Sequence, residues 1–354
     1  MEHLHDLLRA TREGGSSDLH LVSGLAPRVR LHGSLVPLAG RTEYSAEALA
    51  TVLAEGVSAA QWKEYLACGD LDFALAVPGV ARFRCNYLRQ ERGPAAVFRT
   101  IPEKIATIEE LGLPPVLAKL AELRNGLVLV TGPTGSGKST TLAAIIDRIN
   151  RSSSRHIITI EEPVEFVHQN RLSVFSQREV GVDTESFASA LRSAIRQDAD
   201  VILVGELRDL ETISLALKAA EMGALVFGTL HTNSASKTID RLIDVFPADE
   251  QPQARLSLAD SLAAIVAQLL LPNASGDGRV PVLEILLRTQ ALPNLIRESS
   301  ISMLVNLMQS GRSEGMQLLD DALFDLVTRK IITPRDAYMK SQDKSRFEPL
   351  LEKE

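Results

Sequence analysis

Thiols are nearly absent from this chain. Its 354 residues include two cysteines, Cys68 and Cys85. Two cysteines make neither a C-x-x-C pair nor a zinc framework, and both are expected to be small buried hydrophobes. Long apolar runs are missing too: no stretch approaches the roughly 18–20 residues needed to span a bilayer. The amino terminus, Met1-Glu2-His3-Leu4-His5-Asp6, carries acids and lacks a signal-peptide core. The protein is therefore expected in the cytosol, with any membrane role peripheral. Positive charge is not in excess. Lys and Arg number 38 against 45 Asp and Glu, a net charge of −7 that argues against nucleic acid as the main partner. The sequence has no low-complexity tract and no internal repeat. What remains is a soluble globular composition, 45% hydrophobic and 23% charged, long enough for two or three domains.

The strongest positive signal is local. Residues 132–139 read Gly-Pro-Thr-Gly-Ser-Gly-Lys-Ser and follow the apolar run 127–130, Leu-Val-Leu-Val. A buried strand, a glycine loop and then a helix is the context of a phosphate-binding loop. Glycines let backbone N–H groups approach phosphate oxygens, Lys138 can reach the β- and γ-phosphates, and the Ser139 hydroxyl can hold Mg²⁺. The helix that begins near Lys138 adds its positive end. Gly132, Pro133, Thr134, Gly135, Ser136, Gly137, Lys138, Ser139 and Thr140 are thus the nucleotide-binding candidates, with ATP and Mg²⁺ as the expected ligands.

Around this loop the pattern changes along the chain. Residues 4–13 predict a short helix, 18–23 and 28–32 alternate like strands, and 45–66 reads as a helix. Leu71, Phe73, Leu75 and Val77 alternate up to the turn at Pro78-Gly79, and Ala81, Phe83, Cys85 and Tyr87 form the apolar set of the returning strand. Residues 1–100 are therefore expected to form a small α+β domain, 101–115 a linker, and 116–354 an α/β domain with a helical carboxyl-terminal part. In the last, strands are expected at 127–131, 156–160, 201–204 and 224–229, with helices at 138–150, 184–197 and 209–221 between them. From about 250 the pattern is mostly helical, with one further strand candidate at 282–287.

ATP hydrolysis needs more than a phosphate cradle: a carboxylate to organise Mg²⁺, a group to orient water, and cations for the developing charge. Residues 201–206, Val-Ile-Leu-Val-Gly-Glu, carry Glu206 to the carboxyl end of a buried strand, where ligands bind in open α/β sheets. Residues 157–165 bring Glu161, Glu162 and Glu165 to another strand end, past the breaker Pro163, and one of them is a candidate for activating water. His231 follows the strand at 224–229 and is a candidate γ-phosphate sensor. Arg82 and Arg84, two apart on a strand, share a face. Arg99 follows another short strand, and Arg192, Arg196 and Arg208 are further cations. Taken singly, each acid also reads as a solvated strand end, the histidine as a structural side chain and each arginine as a surface charge.

Together these segments resemble the type IV pilus retraction ATPases, the PilT family of secretion-type ATPases. The resemblance covers essentially the whole chain. It runs through residues 17–21 (Ser-Asp-Leu-His-Leu), 82–84 (Arg-Phe-Arg), 97–102, 132–141, 158–168, 191–198, 202–206, 228–232, 237–247 and 315–317. It implies a PAS-like amino-terminal domain followed by a RecA-like P-loop ATPase domain, assembled as a ring hexamer. It implies that Lys138 and Ser139 hold phosphate and Mg²⁺, that Glu206 is the Walker-B carboxylate, and that Glu165 is the general base. It places His231 in a histidine box and lets Arg82, Arg84 and Arg99 reach the nucleotide. The implied partners are an inner-membrane pilus platform protein and a paralogous pilus ATPase, with the chain at the cytoplasmic base of the pilus. Two segments depart from the family pattern. Glu162 stands where Asp is usual, and residues 291–293 read Ala-Leu-Pro where Ala-Ile-Arg is usual, which admits an accessory retraction role. A pilus-assembly or type II secretion ATPase is the near alternative. It usually has a longer amino-terminal region and often a four-cysteine zinc insertion; this sequence is expected to open almost directly on the PAS-like domain and has only two cysteines, so retraction is the expected fit. A RecA-like nucleic-acid translocase and a nucleotide-gated binding module with negligible turnover are the distant ones.

Overall fold

The computed structural model describes residues 3–31, 33–101, 104–276 and 278–351. Of the positions read above, Met1, Glu2, His32, Pro102, Glu103, Asp277 and 352–354 lie outside the described residues. The chain divides into two units, Met1–Lys104 with Glu162–Val167, and Ile105–Glu161 with His168–Glu354.

In the first unit, β1 (Asp18–Val22), β2 (Arg28–Leu31), β3 (Ser34–Pro37), β4 (Asp70–Val77), β5 (Ala81–Gln90) and β6 (Gly93–Ile101) form one sheet in the order β3-β2-β1-β6-β5-β4. Every neighbouring pair is antiparallel. The predicted hairpin is β4–β5. Ala81, Phe83, Cys85 and Tyr87 are buried from one face of β5, and Arg82 and Arg84 project from the other. Helices Leu4–Glu13, Ala46–Ala54 and Ala59–Cys68 contribute Leu4, Leu7, Leu8, Leu49, Leu53 and Tyr65 to the same core. The helix expected over 45–66 is two helices. Ser58 accepts from the Gln61 backbone N–H while the Gln61 side chain accepts from the Ser58 N–H, a capping box that starts the second one. Cys85 is buried, but Cys68, read as a buried hydrophobe, is exposed at the end of its helix.

In the second unit, β7 (Gly126–Thr131), β8 (His156–Glu161), β9 (Val174–Glu179), β10 (Val201–Val204), β11 (Leu225–Leu230), β12 (Leu262–Pro272) and β13 (Arg279–Leu287) form a mixed sheet in the order β13-β12-β7-β11-β10-β8-β9. All neighbours are parallel except β12 and β13. Alternate residues of the central strands enter two separate cores. Leu127, Leu129, Ile158, Ile160, Ile202 and Val204 pack with helices Phe187–Ala194, Leu210–Glu221, Ala235–Asp244 and Gln251–Ser261. Val128, Val130, Ile157, Val201 and Leu203 pack with Lys138–Ser152 and Val116–Leu120. Both faces are covered, as a parallel sheet requires. Within the stretch read as a linker, Ile101 closes β6, while Ile108 and Leu113 are buried in the second unit's core.

Two strands of this sheet differ from the sequence reading. β12 occupies eleven residues of a tail read as mostly helical, and β9 lies in a segment given no strand. The chain leaves β7 toward β8 and leaves β12 the other way into β13. The crevice at the carboxyl end of β7 therefore lies where connections diverge, the usual place for a ligand.

Candidate active site

The phosphate loop rises from the carboxyl end of β7. Gly132 N–H donates to the Leu230 carbonyl at 3.2 Å, and Ser136 N–H to the Pro133 carbonyl at 3.2 Å, closing a turn over the loop. Gly132 has φ 142°, and a Cβ there would lie 2.2 Å from the Gln268 carbonyl oxygen, so only glycine fits. Gly137, at φ 88°, is the amino cap of helix Lys138–Ser152. The helix's first N–H groups and its positive dipole end are thereby aimed into the loop. Lys138 Nζ donates to the carbonyls of Gly132 at 2.8 Å and Pro133 at 3.1 Å. Its ammonium thus rests within the cradle it is expected to serve. Ser139 is exposed in the first turn, and Ser136 is buried.

Glu206 is positioned by the two neighbouring strands. Gly205 N–H donates to the Ile160 carbonyl of β8 at 2.8 Å, and Leu207 N–H to the Thr229 carbonyl of β11 at 3.0 Å. The Thr229 hydroxyl donates to the Gly205 carbonyl. A Cβ on Gly205 would meet the Ile160 oxygen at 3.2 Å and Glu161 Cα at 3.3 Å, so the intervening glycine permits this close approach. The Glu206 carboxylate lies 2.8 Å from Arg208 Nη2 and 3.2 Å from His231 Nε2. Burial pushes its pKa up, but the Arg208 guanidinium and His231 outweigh burial and hold it below the usual glutamate value. It is an anion at neutral pH. His231 directly follows β11, whose Leu230 pairs in register with Thr131, the residue before the loop. A cavity of about 810 Å³ adjoins these groups, with Pro133, His231, Thr232, Lys237 and Leu269 among its walls.

The second unit thus brings together the loop 132–140, Glu206 and His231 on β7, β10 and β11. Strands β7 and β10 are separated only by β11, about 10 Å apart at ordinary sheet spacing. The other candidates belong to the first unit. Arg84 and Arg99 face each other across β5 and β6. Arg84 Nη1 is 3.4 Å from Glu165 Oε1, and Arg82 Nε donates to the Val164 carbonyl at 3.1 Å, so both hold the segment Glu162–Val167. Arg99 Nε meets Asp18 Oδ1 at 2.8 Å. Asp18 is a residue whose part the sequence reading missed. It opens β1 directly opposite Arg99, and the Ser17 hydroxyl donates to it at 2.6 Å. The only signal was its place in the 17–21 motif. Of the further arginines, Arg192 pairs with Glu211 on the surface, and Arg208 joins Glu206. Pro293, in the divergent 291–293 segment, sits in the first turn of helix Leu292–Arg297, where a missing N–H costs nothing.

Residues 3–343 match the family model described as type II/IV secretion system protein. The type IV pilus retraction ATPase PilT of Pseudomonas aeruginosa is 48% identical over 344 residues, covering 97% of this chain and 99% of that one. A twitching motility protein of Neisseria gonorrhoeae is 48% identical over 337 residues, covering 95% of this chain and 90% of its own. A crystal structure of the pilus retraction motor PilT with bound ADP matches the fold with a TM-score of 0.91 at 42% identity, covering 99% of this chain and 100% of that one. The α/β architecture, one antiparallel-sheet unit and one mixed-sheet unit, is common to both.

Proposed function

The chain belongs to the type II/IV secretion system protein family, and from that premise we propose that it is an ATP-hydrolysing motor that powers type IV pilus retraction and twitching motility. One observation carries the reading at the level of chemistry: an ionised carboxylate and a histidine stand on the strands beside a glycine-shaped phosphate loop.

The loop N–H groups and Lys138 would bind the phosphates, as the ADP bound in the related PilT structure also supports. Among the described residues no group of three or more His, Cys, Asp or Glu side chains is placed to hold a metal. The Ser139 hydroxyl and the anionic Glu206 are nevertheless hard oxygen donors. That set fits Mg²⁺, which takes one or two protein oxygens and completes its shell with water and substrate phosphates. When bound, the ion would neutralise charge on the phosphate oxygens. Glu206 would orient that shell, and His231, hydrogen-bonded to Glu206, would respond to the γ-phosphate. Glu165 would take a proton from the attacking water, and Arg82, Arg84 and Arg99 would supply positive charge to the transferring phosphoryl group.

The finer assignments follow the family resemblance: a RecA-like second unit, a PAS-like first unit, a homo-hexamer, and an inner-membrane platform protein as the object moved, beside a paralogous pilus ATPase. No helix among the described residues is long and apolar enough to cross a membrane. The peripheral place at the cytoplasmic pilus base rests on the family resemblance alone. Steady-state phosphate release by the purified chain tests the reading. MgATP turnover that disappears in Lys138→Ala and is unaffected by DNA or RNA is expected. Wild-type turnover in Lys138→Ala, or strong stimulation by nucleic acid, would contradict it.

A further inference from the structure

One polar side chain interrupts the apolar run of β12. Gln268 is 3% exposed, and both ends of its amide are engaged. Its Nε2 donates to the Ser136 carbonyl at 2.7 Å, and its Oε1 accepts from the Thr141 hydroxyl at 2.8 Å. The register explains the placement. Ala267 pairs with Thr131, so Gln268 is the next residue along, level with the start of the phosphate loop. The fit leaves no slack. A Cβ on Gly137 would lie 2.9 Å from Gln268 Nε2, and one on Gly132 would lie 2.2 Å from the Gln268 backbone oxygen.

The consequence follows from peptide geometry. The Ser136 carbonyl and the Gly137 N–H belong to one planar trans unit and point in opposite directions. Tying the oxygen to Gln268 aims the N–H the other way, into the loop's concave side where phosphate oxygens bind. The second hydrogen bond ties the same amide to the first turn of helix Lys138–Ser152, so loop and helix start are held by one side chain. We propose that Gln268 is a positioning residue that presets the Gly137 N–H as a phosphate donor through its paired hydrogen bonds to Ser136 and Thr141. This rests on the reading of residues 132–140 as a nucleotide site and names the residue that shapes it. Gln268 touches no phosphate itself. The donor meets phosphate in substrate and product alike, so its loss should fall on affinity more than on turnover at saturation.

The test is titration of the full chain with a fluorescent ADP analogue, and its displacement by inorganic pyrophosphate, which reads the cradle without the base. Gln268→Met keeps the volume and removes both hydrogen bonds. Thr141→Val removes only the hydroxyl that steadies the amide. ADP and pyrophosphate affinity is expected to fall about tenfold in Gln268→Met and roughly two- to threefold in Thr141→Val, the scale of one lost or loosened hydrogen bond to an anion. KM for ATP should rise in parallel while kcat stays within about threefold of wild type. A folded Gln268→Met that binds both ligands within twofold of wild type would overturn the inference. If that variant does not fold, wild-type affinity in Thr141→Val would overturn it instead. Wild-type chain that binds neither ADP nor pyrophosphate would refute the nucleotide reading, and this inference with it.

Discussion

Replacing Glu206 by glutamine separates a catalytic role from a structural one. The substitution keeps the volume and one oxygen but removes the charge. The two partners are exposed, Arg208 at 60% and His231 at 48%, so water screens both contacts. Each pair is then worth at most about 1 kcal/mol to folding. For a unit of this size, that shifts the melting temperature by roughly 2–4 °C. The catalytic cost is of another order. Removing one preorganised charge from a phosphoryl-transfer site lowers kcat by about 10²–10³-fold, or roughly 3–4 kcal/mol of barrier. Glu206→Gln should therefore melt nearly as wild type, bind ADP, and release phosphate at least a hundredfold more slowly under saturating MgATP. Because its pKa is held below the usual glutamate value, its stabilising contribution is complete above that value and fades as the pH falls through the lowered one. No acid limb of activity above about pH 5 should arise from this group. Turnover within threefold of wild type in a folded variant would refute the role. A drop of more than about 10 °C in melting temperature would show that Glu206 chiefly holds the fold.

Two further predictions concern groups away from the phosphate loop. Burial pushes the Asp18 carboxyl up, but the Ser17 hydroxyl and Arg99 outweigh it and hold it below the usual aspartate value, so its contribution is complete above that value and fades as the pH falls through the lowered one. Asp18→Asn should cost about 1–3 kcal/mol in urea unfolding at pH 7, and an unchanged midpoint would contradict this. His168 is buried, stacks on Phe175 with centroids 4.6 Å apart, and has its pKa lowered by burial to about 4. The unfolded chain binds its proton more readily, so stability is full above about pH 6.5 and falls as the pH drops toward 4. At about 1.4 kcal/mol per pH unit, that limb is worth about 3 kcal/mol. His168→Phe should flatten it, and parallel limbs in the two proteins would rule the assignment out.

Features written in consecutive residues were the legible ones. The phosphate loop, its strand and its helix occupy one stretch, and the β4–β5 hairpin announces itself by alternation around Pro78-Gly79. β12 was hidden because Ala, Leu, Ile and Val, interrupted by Gln268, fill a run largely buried on both sides. Such a run has no period of two, and its residues suit a helix equally well. β9 was hidden for the opposite reason. It is an edge strand, and Ser176, Gln177 and Arg178 leave it without an apolar signal. The break between helices Ala46–Ala54 and Ala59–Cys68 depended on recognising Ser58 and Gln61 as a cap inside a continuous helical pattern. At the site, Glu206 and His231 were found because each follows its own apolar strand. Asp18 and Arg99 lie 81 residues apart and meet only through the pairing of β1 with β6. The grouping of Glu162–Val167 with the first unit, held by Arg82 and Arg84, likewise depends on contacts that no local pattern encodes.

The retraction reading is tested most directly by deleting the chain in its host and scoring surface filaments and twitching motility, with wild type and Glu206→Gln supplied back in parallel. Filaments retained, motility lost, and motility restored by wild type alone is the predicted result. Filaments lost on deletion, or motility restored equally by Glu206→Gln, would contradict an ATP-driven retraction motor.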